Sequence, residues 1–119
     1  MFGVQELATA VQHHIGVVIV LFNNNAYGNV RRDQEESFHG RLIGSDLANP
    51  DFMKLAESFG VSGYRAKTPE DLKKALEKAL GKDAPCLIEV PVEKGSEPSP
   101  WNFIYPEGVN PVSKGGKET

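Results

Sequence analysis

Residues 17–28 read Val-Val-Ile-Val-Leu-Phe-Asn-Asn-Asn-Ala-Tyr-Gly, an apolar run that changes abruptly into three asparagines. Four of the first five residues are β-branched, which predicts a buried strand of a parallel sheet followed by a polar loop. In an open α/β sheet, ligands bind in the crevice at the carboxyl ends of the strands. The loop after this strand is therefore a candidate ligand site. An Asn cluster is also typical of an ordinary turn or cap, so the pattern alone leaves both interpretations open.

The segments on either side of this strand carry helix signals. Apolar residues at helical spacing over residues 2–11 predict a helix, for which Gly16 would be the C-terminal stop. After the Asn cluster, Asn49 is a candidate helix cap, Pro50 suits the first helical position and Gly60 suits the end. The strand is therefore expected to lie between two helices along the chain.

The second half of the chain continues the alternation. A short strand is expected at 62–66, then a helix capped by Thr68 and ended by Gly81, then a strand at 86–92. Residues 29–48 are expected to form a long irregular segment, with a helical turn near residues 29–36. The predicted core face of the later helix is Leu72, Ala75, Leu76, Ala79 and Leu80. This order predicts an α/β fold, a three-layer parallel sheet with helices on both faces.

Composition excludes several classes of protein. The chain has 119 residues, a formal net charge of −3 and one cysteine. An acidic balance argues against nucleic-acid binding, which needs a clustered basic face. The longest apolar stretch is about six residues, too short to cross a membrane, and no signal peptide is visible. The single Cys86 is expected to be buried and unreactive, and fits a reducing compartment, so we expect a cytoplasmic location.

Two motifs carry a resemblance to a known family. The pattern Asn23-Asn24-x-x-Tyr27-Gly28, preceded by Gln-Glu-Leu-Ala-Thr-Ala at residues 5–10, resembles the cofactor-binding domain of thiamine diphosphate-dependent enzymes. The group meant is the acetolactate synthase, pyruvate oxidase and benzoylformate decarboxylase type. The resemblance covers about residues 1–93. The Gly-Asp-Gly half of the family signature has no counterpart here and is expected just before Met1, so we expect a partial thiamine diphosphate-binding fold from a larger enzyme.

The resemblance implies which residues contact the cofactor. By position, the side chain of Asn24 and the backbone carbonyl of Ala26 would be magnesium ligands, and Tyr27 and Gly28 would lie against the diphosphate. Oxygen ligands of this kind suit Mg²⁺. Asn23 is expected to brace the loop through hydrogen bonds to backbone. No catalytic residue is assigned to this chain, since the family's activating Glu comes from another domain on a partner subunit.

The same resemblance implies a function in 2-keto acid chemistry. We expect the cofactor-binding portion of an acetolactate synthase-like carboligase or of a decarboxylase, inactive alone and weak or deficient in binding magnesium and thiamine diphosphate. The implied partners are the remaining domains of the parent enzyme, further copies in a homo-oligomer and a small 2-keto acid. A non-catalytic α/β interaction or regulatory module that has lost metal binding is the alternative. Arg31 is expected either on a solvated turn of helix or facing a substrate carboxylate or a cofactor phosphate.

The chain is expected to divide near residue 93. Residues 1–93 would form the partial thiamine diphosphate-binding domain. Residues 94–119 are rich in Gly and Pro, which predicts a C-terminal tail that is partly disordered.

Overall fold

The computed structural model describes residues 3–96 and residue 104 of the chain. Most of the predicted tail therefore lies outside the described residues, and its division from the domain stays a prediction. The helices and strands of the described part are α1 Glu6–Gln12, β1 Val18–Asn23, α2 Gly28–Ser37, α3 Phe52–Ser58, β2 Ser62–Arg65, α4 Pro69–Ala79 and β3 Cys86–Pro91.

The described residues fall into two compact units. Unit 1 comprises residues 3–24 and 48–93, and it contains the sheet with α1, α3 and α4. The described residues of unit 2 are 25–47, 94–96 and 104, and they contain α2. The candidate loop thus begins in unit 1 and continues into unit 2.

The sheet of unit 1 is parallel, with strand order β1-β3-β2. The first residues of both outer strands, Val18 and Ser62, are in register with Cys86 of β3. The central strand is buried from Cys86 to Glu89, as is typical of a parallel strand covered on both faces. The predicted parallel α/β sheet is confirmed.

Helices cover both faces of this sheet, as predicted. On one face, α1 and α3 pack on β3 through a core formed by Leu7, Phe52, Ala56, Val61 and Leu87. On the other face, α4 packs on the sheet through Ala66, Ala75, Ala79, Cys86 and Ile88. Successive residues of β3 point to opposite faces, so Leu87 joins the first core while its two neighbours join the second.

The start of α3 differs from the prediction. Asp51 is the cap, and its carboxylate accepts hydrogen bonds from the backbone amides of Met53 at 3.0 Å and Lys54 at 3.4 Å. Asn49 is two residues too early, and Pro50 precedes the cap rather than opening the helix. The predicted end is correct, since Gly60 follows the helix with a positive φ of 74°, a conformation that glycine adopts without strain.

The start of α4 is confirmed, and so is its predicted end, since Gly81 follows the cap Leu80 with a positive φ of 89°; the predicted core face is wrong at one residue. Thr68 caps the helix, and the side chain of Asp71 completes a capping box by accepting from the Thr68 amide. The hydrogen bond with Thr68 is the largest cause that lowers the pKa of Asp71. Leu80 was assigned to the core face, yet it is 64% exposed. The helix ends at Ala79, and Leu80 is extended, so its side chain leaves the helical stripe.

Gly16 has a different role from the one predicted. The left-handed residue after α1 is His14, with φ of 51°, and Gly16 does not have a positive φ. A Cβ atom on Gly16 would instead lie 2.8 Å from the backbone oxygen of Lys82. Glycine is therefore required here because two backbone segments approach each other closely, and not because a helix ends.

The segment 29–48 contains more helix than expected. Helix α2 runs over ten residues from Gly28 to Ser37, and none of them is buried. Apolar periodicity is the main sequence signal of a helix. A helix that buries no side chain does not produce this signal, which explains why the sequence indicated no more than a turn.

The capping box gives a stability prediction. Replacing Thr68 with Ala removes the side-chain acceptor for the Asp71 amide, so we expect the free energy of unfolding to fall by about 1 kcal/mol. Urea denaturation monitored by circular dichroism measures it. The matched control is Thr9→Ala on the exposed side of α1, where Ala is the better helix former. Equal losses in the two variants would contradict the assignment of the cap.

Candidate functional site

The candidate site lies at the carboxyl end of the sheet. Strand β1 ends at Asn23, β2 ends at Arg65 and β3 ends at Pro91. Because the strands are parallel, these three ends meet at one edge of the sheet. This is the edge where ligands bind in open α/β sheets.

Asn24 and Ala26 lie in different units of the structure. Asn24 is the last residue of the first segment of unit 1 and is half-buried directly after β1. Ala26 lies in unit 2, where it forms an isolated antiparallel bridge with Asp46. Between them, Asn25 has a left-handed backbone with φ of 54°, which Asn tolerates better than most residues. The chain therefore turns sharply after Asn24.

The geometry of the bridge leaves the Ala26 carbonyl out of the pairing. The two hydrogen bonds of the bridge run from the Tyr27 amide to the Ser45 oxygen at 2.8 Å and from the Leu47 amide to the Asn25 oxygen at 2.9 Å. Ala26 and Asp46 thus form a non-hydrogen-bonded pair, in which both residues turn their own peptide groups away from each other. The bridge fixes the peptide of Ala26 without using its carbonyl.

Tyr27 and Gly28 mark the beginning of α2. Tyr27 is 57% exposed, and its amide already donates to Ser45. Gly28 is the first helical residue, after a cap that makes no side-chain hydrogen bond and before a first turn that holds no acidic residue. The first amides of a helix attract anions. This end of α2 therefore has the chemistry expected of a phosphate contact.

The donor atoms fit part of a magnesium site. An Asn side-chain oxygen and a backbone carbonyl are hard ligands of the kind that Mg²⁺ prefers, but both are neutral. Within the described part of the chain, no group of three or more His, Cys, Asp or Glu residues is placed to hold a metal ion. A magnesium ion bound here would also need ligands that carry negative charge, such as the oxygens of a phosphate or of a carboxylate.

A network of polar side chains at this edge was missed by the sequence analysis. The carboxylate of Glu89, which is 4% exposed, accepts a hydrogen bond from Nδ2 of Asn23 at 2.8 Å and another from Nε of Arg65 at 2.8 Å. Nδ2 of Asn49 donates to Oδ1 of Asn23 at 2.9 Å. Nη2 of Arg65 also reaches the Asp51 carboxylate at 3.4 Å. The network joins all three strands to the start of α3.

The network shows two partners of the Asn23 side chain that were not predicted. It hydrogen-bonds the side chains of Glu89 and Asn49, while bracing of the loop through backbone groups stays a prediction. The backbone oxygen of Asn23 in turn accepts from the Val92 amide at 3.0 Å. The signal in the sequence was the single acidic residue inside the apolar run Cys-Leu-Ile-Glu-Val at residues 86–90, since a charged residue in a buried strand requires partners.

The positive side chains pair with protein carboxylates. Arg65 has a raised pKa, with its hydrogen bond to Glu89 as the largest cause. In unit 2, Arg31 contacts Asp46 at 3.2 Å and Glu35 at 3.3 Å, which favours the helix-surface interpretation of Arg31. The pKa of Asp46 is lowered mainly by a hydrogen bond from Lys94.

Cys86 behaves as expected of a structural cysteine. It is buried beneath α4, and burial raises the pKa of its thiol. A thiol that stays protonated is a poor nucleophile. Cys86 is therefore part of the core and not of the candidate site.

Comparison with known families identifies the class of this fold and site. The family model of the thiamine pyrophosphate enzyme C-terminal TPP-binding domain matches residues 1–90; thiamine pyrophosphate and thiamine diphosphate are the same compound. The chain belongs to this family of C-terminal TPP-binding domains.

Similar proteins include two acetolactate synthases. The catalytic subunit of the mitochondrial acetolactate synthase of Aspergillus candidus is 37% identical over 89 residues, covering 75% of this chain and 13% of that protein. The acetolactate synthase large subunit of Parasynechococcus marenigrum is 38% identical over 97 residues, covering 80% of this chain and 16% of that protein.

Two solved decarboxylases share the fold. The thiamine diphosphate-dependent 4-hydroxybenzoylformate decarboxylase of Rhodococcus jostii superposes with a TM-score of 0.71 at 41% identity, over 76% of this chain and 17% of that one. The benzoylformate decarboxylase of Polynucleobacter necessarius superposes with a TM-score of 0.75 at 28% identity, over 83% of this chain and 19% of that one. The chain thus spans less than a fifth of the length of each of these four proteins.

No helix in the described part of the chain combines the length and the apolar character that crossing a bilayer requires.

The assignment of Asn49 gives a second prediction. If Asn49 acts through Asn23, the Asn49→Ala variant loses about 1 kcal/mol of unfolding free energy, and it loses less than this in an Asn23→Ala background. A double-mutant cycle by urea denaturation measures this coupling. A loss that is the same in both backgrounds would show that Asn49 contributes to stability independently of Asn23.

Proposed function

We propose that this chain is the cofactor-binding portion of a thiamine diphosphate- and magnesium-dependent enzyme that acts on 2-keto acids. The single observation that carries the proposal is membership of the TPP-binding family across residues 1–90, with the candidate loop at the carboxyl end of β1. An acetolactate synthase-like carboligase comes first, because acetolactate synthases are among its relatives. A decarboxylase comes next, supported by the two benzoylformate-type structures.

We assign the contacts with the cofactor to four residues of the loop. Asn24 and the Ala26 carbonyl are the proposed magnesium ligands, supported by their hard oxygens, which are of the kind that Mg²⁺ prefers. Tyr27 and Gly28 are proposed to lie against the diphosphate, supported by the uncapped start of α2. Gly28 does not have a positive φ, so close approach of a ligand is the proposed reason for glycine there.

In this proposal the chain binds and orients, and no catalytic residue is assigned to it. The chemistry that the cofactor supplies when bound is nucleophilic addition to a keto carbonyl and stabilisation of the carbanion that follows loss of CO₂. Asn24 and the Ala26 carbonyl would hold the diphosphate end of the cofactor through magnesium. The remaining domains of a parent enzyme and further copies in a homo-oligomer would complete the site. The proposed location of this enzyme is the cytoplasm.

Calorimetric titration with thiamine diphosphate and Mg²⁺ tests the proposal. We expect weak or undetectable heat from the 119-residue chain and saturable, magnesium-dependent binding by a longer product that includes the coding sequence upstream of Met1. EDTA should abolish that binding, because the diphosphate is held through the metal. Absence of binding by the longer product would favour the alternative, a non-catalytic interaction or regulatory module that has lost metal binding.

The proposed ligand role of Asn24 gives a third prediction. In the longer product, Asn24→Ala removes an oxygen ligand and should weaken magnesium-dependent cofactor binding at least about 10-fold. Asn24→Asp is the matched variant, since it keeps an oxygen in the same place and should retain binding. Equal binding by the Ala variant and the unmodified protein would remove Asn24 from the metal site.

A further inference from the structure

We propose that Glu89 is a positioning residue that sets the orientation of the Asn23 side chain and thereby the place of Asn24 at the end of β1. The predicted effect on metal and cofactor binding rests on the proposed function. The positioning of Asn23 itself rests on the geometry of unit 1 alone.

The first step is the cost of placing a carboxylate at position 89. Glu89 shares a face of β3 with Leu87, which lies in the core beneath α1 and α3, and it is 4% exposed. Desolvating a carboxylate costs several kcal/mol unless donors replace the water. An apolar side chain of similar size would often be as stable at such a site. A carboxylate differs from an apolar side chain because its two oxygens fix the positions of two hydrogen-bond donors.

The second step is what those two oxygens hold. Oε1 accepts from Asn23 of β1, and Oε2 accepts from Arg65 of β2. The two donors come from opposite neighbours of the central strand. Glu89 therefore ties both outer strands to β3 at the edge where the candidate loop begins.

The third step is how firmly Asn23 is oriented. Its Nδ2 faces Glu89, its Oδ1 faces Nδ2 of Asn49, and its backbone oxygen faces the Val92 amide. Because Glu89 accepts a hydrogen bond and Asn49 donates one, the Asn23 amide has one preferred orientation, with its nitrogen toward Glu89 and its oxygen toward Asn49. Asn24 follows directly, so the direction in which the chain leaves β1 is set by a residue held at both side chain and backbone.

The chemistry predicts the effect of Glu89→Gln. A Gln side chain has one accepting oxygen atom and one donating nitrogen atom, so Glu89→Gln cannot accept at both of the positions where the Glu89 oxygens now meet Asn23 and Arg65. Turning the Asn23 amide over would restore its bond to the substituted side chain, but it would bring two Nδ2 groups together at Asn49 in the orientation that Asn49 now has. The variant is nearly isosteric, so packing is conserved while the orientation of Asn23 is lost.

Amide hydrogen exchange by NMR on the 119-residue chain tests the positioning. The reporter is the Val92 amide, which donates to the Asn23 oxygen at 3.0 Å, and the reference is the Cys86 amide, which donates to the Val17 oxygen at 2.9 Å at the other end of the same strand pair. We expect Glu89→Gln to speed exchange at Val92 by about 10-fold more than at Cys86. The control Glu77→Gln, at an exposed position of α4, should change neither rate.

The other outcomes overturn the proposal. Equal acceleration at Val92 and Cys86 would mean that Glu89 contributes general stability alone, and unchanged rates would mean that it contributes nothing here. If Glu89→Gln fails to fold, Asn23→Ala decides, because removing the held amide should produce the same selective acceleration at Val92. An unchanged exchange rate of the Val92 amide in the Asn23→Ala variant would overturn the proposal.

Cofactor binding separates this proposal from the proposed function. In the longer product, Glu89→Gln should weaken magnesium-dependent thiamine diphosphate binding by about 10- to 100-fold, the usual effect of losing a partner behind a metal ligand. Glu77→Gln should bind as the unmodified protein does. Binding unchanged by Glu89→Gln would overturn the positioning role. No binding by the unmodified longer product would defeat the proposed function, while the exchange result would still decide whether Glu89 positions Asn23.

Discussion

The buried carboxylate of Glu89 is the constraint on which the candidate edge of the sheet depends. A charge that has lost its water needs donors at fixed positions, and here the donors come from the ends of both outer strands. The same Arg65 that serves Glu89 also contacts the cap of α3. Strand ends that would otherwise be joined by backbone bonds alone are therefore linked through side chains at the edge where the loop begins.

The sequence predicted the elements that bury an apolar face, but it indicated only a helical turn where α2 lies. The three strands and α4 follow from apolar runs, a Thr-Pro start and glycines at the ends. Helix α2 buries no residue, so it leaves no periodic signal. The cap of α3 shows another limit, because Asn49 and Asp51 both suit a cap. In the structure Asp51 is the cap, and Asn49 instead donates a hydrogen bond to Asn23, which is 26 residues away in the sequence.

The site divides in the same way. The candidate contacts of the loop belong to a local motif, which can be recognised in a single sequence. The polar network is not a local motif, since Asn23 and Glu89 are 66 residues apart and Arg65 and Glu89 are 24 apart. Such pairs become visible when topology brings the strand ends together. The single Glu within an apolar strand indicated that partners exist, without indicating which residues they are.

The pairing of charged side chains within each unit has a consequence for how a cofactor would bind. Glu89 and Asp51 engage Arg65, and in unit 2 Asp46 engages Arg31 and Lys94. The proposed ligands, an amide and a carbonyl, are neutral, and Mg²⁺ gives up its water reluctantly. Neutral oxygens do not compensate that loss well, whereas a diphosphate brings negative charge to the metal. On this assignment, metal and cofactor bind together, each raising the affinity for the other, as reciprocal linkage requires.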